Sequence, residues 1–203
     1  MEEIGLFPLG IVLLPSELVP LHVFEERYKE LVGECLEHDR EFGLLYADDD
    51  GVRETGTRAR VTEVLERFED GRLDIVAVGG ERFHVERLTG GRSFLTAEVQ
   101  PVDDRWDEPD PVAALRAVEA FRALAAVAGA EFDDPDVASP ALSFDLAARV
   151  EIVAEAKQQL LELRSEAERL SLVADLLDAA REAILAARRL GDHAKTNGKR
   201  PSL

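Results

Sequence analysis

The stretch Ile4-Gly-Leu-Phe-Pro-Leu-Gly-Ile-Val-Leu-Leu-Pro-Ser-Glu-Leu-Val-Pro-Leu-His-Val-Phe-Glu-Glu-Arg-Tyr28 decides the fold. Pro8, Pro15 and Pro20 stand between short apolar runs. Proline has no N–H to give to a ladder, so each run reads as an edge strand, a strand end or the approach to a turn. A helix follows from Glu25 to Asp39, because Tyr28, Leu31, Val32, Cys35 and Leu36 recur three and four apart on one face. The order is strand, sharp turn, strand, helix.

Strand signals continue outward from this segment. Glu41 to Ala47 reads as a buried strand, and Asp48-Asp49-Asp50-Gly51 as an acidic turn. Arg58 to Glu69 and Arg72 to Val78 flank Asp70-Gly71, a pair that predicts a type I′ hairpin. Gly79-Gly80 should break the return strand through a bulge or a close backbone approach. Glu81 to Leu88 alternates again, Gly90-Gly91 turns the chain, and Ser93 to Val102 gives a further strand. Short strands punctuated by glycine pairs point to a small closed or partly open barrel.

The composition changes after the polar connector at 103–111. Asp110 as N-cap and Pro111 in the first turn open a helix that should stop at Gly129. From Ala141 to Leu190 there is no glycine or proline, which leaves room for two or three helices. Ser165-Glu166-Ala167-Glu168 is a capping box that should open the last one. The expected division is a barrel over 1–103, helices over 110–190 and a disordered tail over 191–203. The last helix carries two apolar stripes, so it is buried on two sides or has one core face and one partner face, which leaves a homo-oligomer open.

The 203 residues carry 46% hydrophobic side chains and a net charge of -18. That is enough apolar content for a core, and enough negative charge to repel phosphate backbones and anionic lipid. Cys35 is the single cysteine, which fits a reducing cytoplasm; no signal peptide or apolar run of membrane-spanning length is evident.

Motifs for chemistry are not found. Lys195-Thr196 lacks the glycine spacing of a P-loop. No serine lies in a nucleophile elbow or in a serine-lysine setting, so no catalytic residue is assigned. His22, His38, His84 and His193 lack metal-ligand spacing, so neither metal nor cofactor is expected. His22 reads as a hydrogen-bonded structural residue in an apolar strand, and His84 as solvent-facing.

Phe7-Pro8-Leu9, Pro15, Pro20-Leu21, Phe24-Glu25 and Arg27-Tyr28 occur here in series. Gly79-Gly80-Glu81-Arg82-Phe83 and Lys157-Gln158-Gln159-Leu160-Leu161-Glu162 follow in order. Together they resemble the N-terminal substrate-binding domain of Lon proteases. The resemblance implies an α+β fold, a PUA-like β-barrel with one helix followed by a C-terminal α-helical bundle. It implies a stand-alone, non-enzymatic member without ATPase or peptidase modules. Its expected partner is unfolded or degron-bearing polypeptide, bound directly or as an adaptor in protein quality control. An apolar groove near Phe24, Tyr28, Phe83 and Leu177 is the expected binding surface. A small-molecule or nucleotide binder and an RNA-binding barrel are the alternatives, the latter opposed by charge.

Overall fold

The computed structural model describes residues 2–108 and 110–197. Seven strands and five helices occur among them. They are β1 (Glu2–Leu9), β2 (Leu18–Val23), α1 (Glu26–His38), β3 (Phe42–Asp48), β4 (Gly51–Val52), β5 (Thr55–Arg67), β6 (Leu73–Thr89), β7 (Thr96–Pro101), α2 (Pro111–Ala128), α3 (Leu142–Ala147), α4 (Ala154–Glu162) and α5 (Glu166–Asn197).

The sheet runs β1-β7-β6-β5-β3, and β3 returns to β1 as a parallel partner, with Leu6 opposite Gly43 and Leu9 opposite Tyr46. That last pairing closes the sheet into a barrel. β2 lies outside the ring and pairs with β6 alone. Two apolar clusters form inside this unit. One joins Phe7, Leu13, Leu21 and Val23 to Tyr28, Leu31, Val32 and Cys35 of α1. The other gathers Ile4, Leu6, Leu45, Phe83, Ala97 and Val99. Phe7 stacks on Tyr28 with ring centroids 4.0 Å apart, a contact that adds about 0.5–1.5 kcal/mol to area burial.

Two local expectations are corrected. The β5–β6 turn is not type I′, which needs positive φ at both central residues. Only Gly71 is left-handed, at φ 84°. The N–H of Gly71 donates to Phe68 C=O at 3.0 Å, and that of Phe68 to Arg72 C=O at 3.0 Å, the pattern of a three-residue loop ending in a glycine bulge. This geometry spares Asp70 the steric cost of a left-handed backbone. Secondly, β6 is one strand of 17 residues that runs through Gly79-Gly80. The glycine pair marks a register shift and a close approach: a Cβ on Gly79 would lie 2.1 Å from the carbonyl oxygen of Leu14.

The chain separates into two compact units. The first takes the residues up to Trp106 together with Ala147–Ser165; the second takes Asp107–Leu146 and the chain from Glu166 onward. The helical subdomain expected over 110–190 is therefore interrupted, because α4 is tied to the strands. Tyr46 Oη donates to Glu155 at 3.1 Å, Gln158 Nε2 donates to Thr55 C=O at 3.1 Å, and Lys157 pairs with Glu17. The last helix continues to Asn197, so the tail expected from 191 does not begin there; helix-compatible residues follow Gly191, which costs only about 1 kcal/mol in a helix. Positions 198–203 lie outside the described residues.

In the second unit α2 opens as its caps dictate. Asp110 accepts from Val112 and Ala113 N–H at 3.0 Å each, and Gly129 closes the helix at φ 73°. Arg116 meets Asp175 and Arg188 donates to Val127 C=O, so α2 and α5 run in the same direction. Ala113, Ala117 and Phe121 of α2 are buried, as are Leu170, Val173 and Leu177 of α5. At the start of α5, fully buried Arg169 donates to Glu166 at 2.7 Å and to Ser143 Oγ at 3.0 Å, with its guanidinium 4.5 Å from the Phe144 ring centre.

Candidate functional site

The Leu14-Pro15-Ser16-Glu17 segment sets the geometry of an exposed apolar strip on the barrel. Glu17 N–H donates to Leu14 C=O at 3.1 Å, and Ser16 lies at φ 65°. Proline second and a left-handed residue third make a type II turn. Ser16 N–H then donates to Gly79 C=O at 2.8 Å while Gly79 N–H donates to Glu17 C=O at 2.9 Å. These two bonds fix the phase of β2. Backbone groups alternate along an antiparallel strand, so Val19, Leu21 and Val23 point theirs at β6, whereas Leu18, Pro20 and His22 point theirs away. Pro20 therefore occupies a position where no N–H is required.

The side chains follow the same alternation. Leu21 and Val23 are buried in the core, while Leu18 (62% exposed), Pro20, His22 and Phe24 (59%) face outward. Cross-strand partners share a face. Leu18 lies opposite Val78, Pro20 opposite Val76 and His22 opposite Asp74. On the far side of β6, Val78, Val76 and Asp74 lie opposite Arg60, Glu63 and Glu66 of β5. The outer face is thus apolar along β2 and the adjoining half-buried valines, and charged along β5. An aromatic group ends the strip: the His22 ring is 5.8 Å from Phe24 and 6.0 Å from Phe68, and Arg72 covers Phe68. His22 Nδ1 is 2.5 Å from Asp74 Oδ1. The expected hydrogen-bonded histidine is found, at the surface and not in an apolar interior.

A cleft of about 730 Å³ opens elsewhere on the barrel unit, between the first residues of β1 and the end of α1. Ile4, Leu31, Cys35 and Phe94 contribute apolar lining, and Arg40, Arg58, Arg60 and Arg92 are outnumbered by the carboxylates of Glu2, Glu3, Glu34, Asp39 and Glu41. Arg58 pairs with Glu2 at 2.9 Å, and Arg60 with Asp39 and Glu41 at 3.2 Å each. Burial, reinforced by Glu34, pushes the Cys35 thiol up to about 11. Among the described residues no group of three or more His, Cys, Asp or Glu is placed to hold a metal ion, and no helix is long and apolar enough to cross a membrane.

Of the four residues expected to line a groove, the structure leaves Phe24 at the surface. Tyr28 and Phe83 are buried in separate core clusters, and Leu177 is 1% exposed on α5. Aromatic residues flanked by polar ones read alike whether they cover a core or line a groove. The remaining signature positions have local physical roles. Phe7 is core, with Pro8 and Leu9 half-buried behind it; Leu21 is core; Arg27 lies over the Tyr28 ring at 4.5 Å. Arg82 is 6% exposed, donating to Leu161 C=O at 2.8 Å and Leu163 C=O at 2.7 Å and pairing with Asp104. It satisfies carbonyls at the end of α4, where a cation is also favoured by the helix dipole. Leu18, Val76 and Val78 were missed as surface residues; the signal available was the apolar character of both faces of β2.

This geometry has relatives. The family model of the ATP-dependent protease La (LON) substrate-binding domain matches residues 3–179. Lon protease 1 of Hydrogenovibrio crunogenus is 23% identical over 205 residues, covering 91% of this chain and 24% of that protein. The Lon protease of Anaeromyxobacter dehalogenans is 29% identical over 190 residues, covering 84% of this chain and 22% of that protein. The chain thus spans about a quarter of the length of these curated relatives. The crystal structure of a Lon N-terminal domain protein from Xanthomonas campestris superposes with a TM-score of 0.67 at 28% identity, covering 84% of this chain and 95% of that one. With a family model that spans residues 3–179, the chain belongs to the LON substrate-binding domain family.

Proposed function

We propose that this chain is a non-enzymatic polypeptide-recognition module, binding unfolded or degron-bearing protein in the cytoplasm in support of proteolysis and protein quality control. The observation that carries the reading is the outward strip in which Leu18, Pro20, Phe24, Val76 and Val78 lie side by side, on a chain of net charge -18. Exposed apolar patches of this kind mark interaction sites more often than they arise by chance. Membership of a substrate-binding family supports the same role. The test is fluorescence anisotropy of a labelled, permanently unfolded polypeptide titrated with the chain in the absence of ATP. Saturable micromolar binding that other unfolded chains compete away is expected. Absence of binding up to several hundred micromolar would sink direct recognition and leave an adaptor that acts only beside a protease.

A second reading, a small-molecule binder, rests on the cleft beside β1 and α1, whose lining mixes apolar side chains with charges of both signs, arginines and carboxylates. A metabolite that raises the melting temperature, with the rise abolished by Arg40→Ala, would favour it.

A further inference from the structure

We infer that the free edge of β2 is a docking edge at which an extended client segment, apolar at alternate positions and flanked by Lys or Arg, adds as a further strand. This rests on the reading of the chain as a polypeptide-recognition module and specifies how and where recognition occurs.

The backbone supplies the first argument. The ring of β1, β7, β6, β5 and β3 has no partnerless strand, whereas β2 pairs on one side only. Its phase, fixed by the bonds between Ser16, Glu17 and Gly79, turns the backbone groups of Leu18, Pro20 and His22 outward. Leu18 and His22 each present an N–H and a C=O; Pro20 presents a C=O alone. An added strand therefore meets more acceptors than donors on this edge, so the client's own N–H groups carry the pairing. Such an edge is ordinarily blunted by charge, by proline or by a bulge; Pro20 is one such device and removes a single donor, while charge is lacking. Here its outward side chains are Leu18, Pro20, His22 and Phe24, none of them a Lys, Asp or Glu.

Side chains and charge supply the second. An added strand about 4.8 Å from β2 places alternate side chains on the outer face beside Leu18 and Phe24, extending the apolar strip that continues into Val76 and Val78. Glu63 and Glu66 on the same face, beyond β6, and the net charge of -18 favour cations at the client's flank and oppose acidic ones. The occupant this surface fits is thus an unfolded-chain segment with a basic flank.

The test uses the full chain and a fluorescein-labelled peptide of alternating valine and threonine with two lysines at one end. Two comparison peptides replace the lysines by glutamates or N-methylate alternate backbone amides. Leu18→Glu and the pair Glu63→Lys with Glu66→Lys are compared with the unchanged protein. These residues are exposed, and unchanged circular dichroism melting verifies the fold. N-methylation and Leu18→Glu should each weaken binding by at least about tenfold. The double lysine variant should shift preference toward the glutamate peptide. If the methylated peptide and Leu18→Glu bind at full strength while unfolded polypeptide still binds, the docking edge is refuted and the recognition reading stands. If unfolded polypeptide does not bind the unchanged chain, the recognition reading itself fails. Sedimentation showing a dimer that Leu18→Glu dissociates would assign the edge to a second copy and overturn the proposal.

Discussion

Ser16 holds a left-handed backbone, at φ 65°, in the turn that sets the phase of β2. Glycine bears that conformation without a Cβ clash, so Ser16→Gly should stabilise the chain by about 0.5–1 kcal/mol, read as a higher urea midpoint. Cys35 makes a different kind of forecast. Its folded pKa of about 11 lies above the unfolded value near 9, so the fold holds the thiol proton more tightly. That contribution is complete below pH 9 and is lost as pH climbs toward 11. Wild type should therefore lose more stability across that interval than Cys35→Ala, and equal pH slopes in the two proteins would contradict the assignment. Arg169 is a fully buried cation. Arg169→Ala leaves the Glu166 carboxylate with the Ser143 N–H and hydroxyl but without its buried counter-charge, and should cost about 3–5 kcal/mol, whereas Arg169→Met with Glu166→Gln should cost less. Nothing in the sequence distinguished Arg169, because an arginine three residues after a glutamate reads equally well as a solvated helix pair. The prolines were legible for the opposite reason: a missing N–H restricts Pro15 and Pro20 wherever they stand.

At the scale of elements, α4 depends on Arg82. A lysine offers a point charge where the guanidinium fork serves Leu161, Leu163 and Asp104 together. Arg82→Lys should lower hydrogen-exchange protection across Ala154–Glu162 and leave the buried part of α2 unchanged; uniform loss in both would show a global effect instead. Element types were legible wherever a cap or periodicity was strong, as for α1 and for α2 between Asp110 and Gly129. The position of α4 was not. Its apolar spacing fits a bundle as well as it fits a barrel, and the choice is made by partners more than 70 residues away, such as Thr55 and Arg82. The outward apolar strip was half legible for a related reason. Alternation marks a strand with one polar face, but β2 is apolar on both, and sequence does not say which side meets the core.

At the scale of the whole molecule, a net charge of -18 means that compaction works against self-repulsion. Raising salt from about 0.01 M to about 0.15 M shortens the screening length from about 30 to about 8 Å, so the melting temperature should rise. A falling melting temperature would mean that the surface ion pairs outweigh the repulsion. The chain also visits its first unit twice, leaving near Trp106 and returning at Ala147. Arg82 and the carbonyl of Leu161 are 79 residues apart. At about 5–20 residues per second, a ribosome takes roughly 4–16 s to deliver the second after the first. Through that interval the Arg82 guanidinium of the nascent barrel has Asp104 within reach but not the α4 carbonyls, and the α2 helix emerges before the piece that completes what preceded it. Folding during synthesis thus cannot finish in the order of the chain, and a chaperone that shields the barrel during those seconds would raise the yield of native protein.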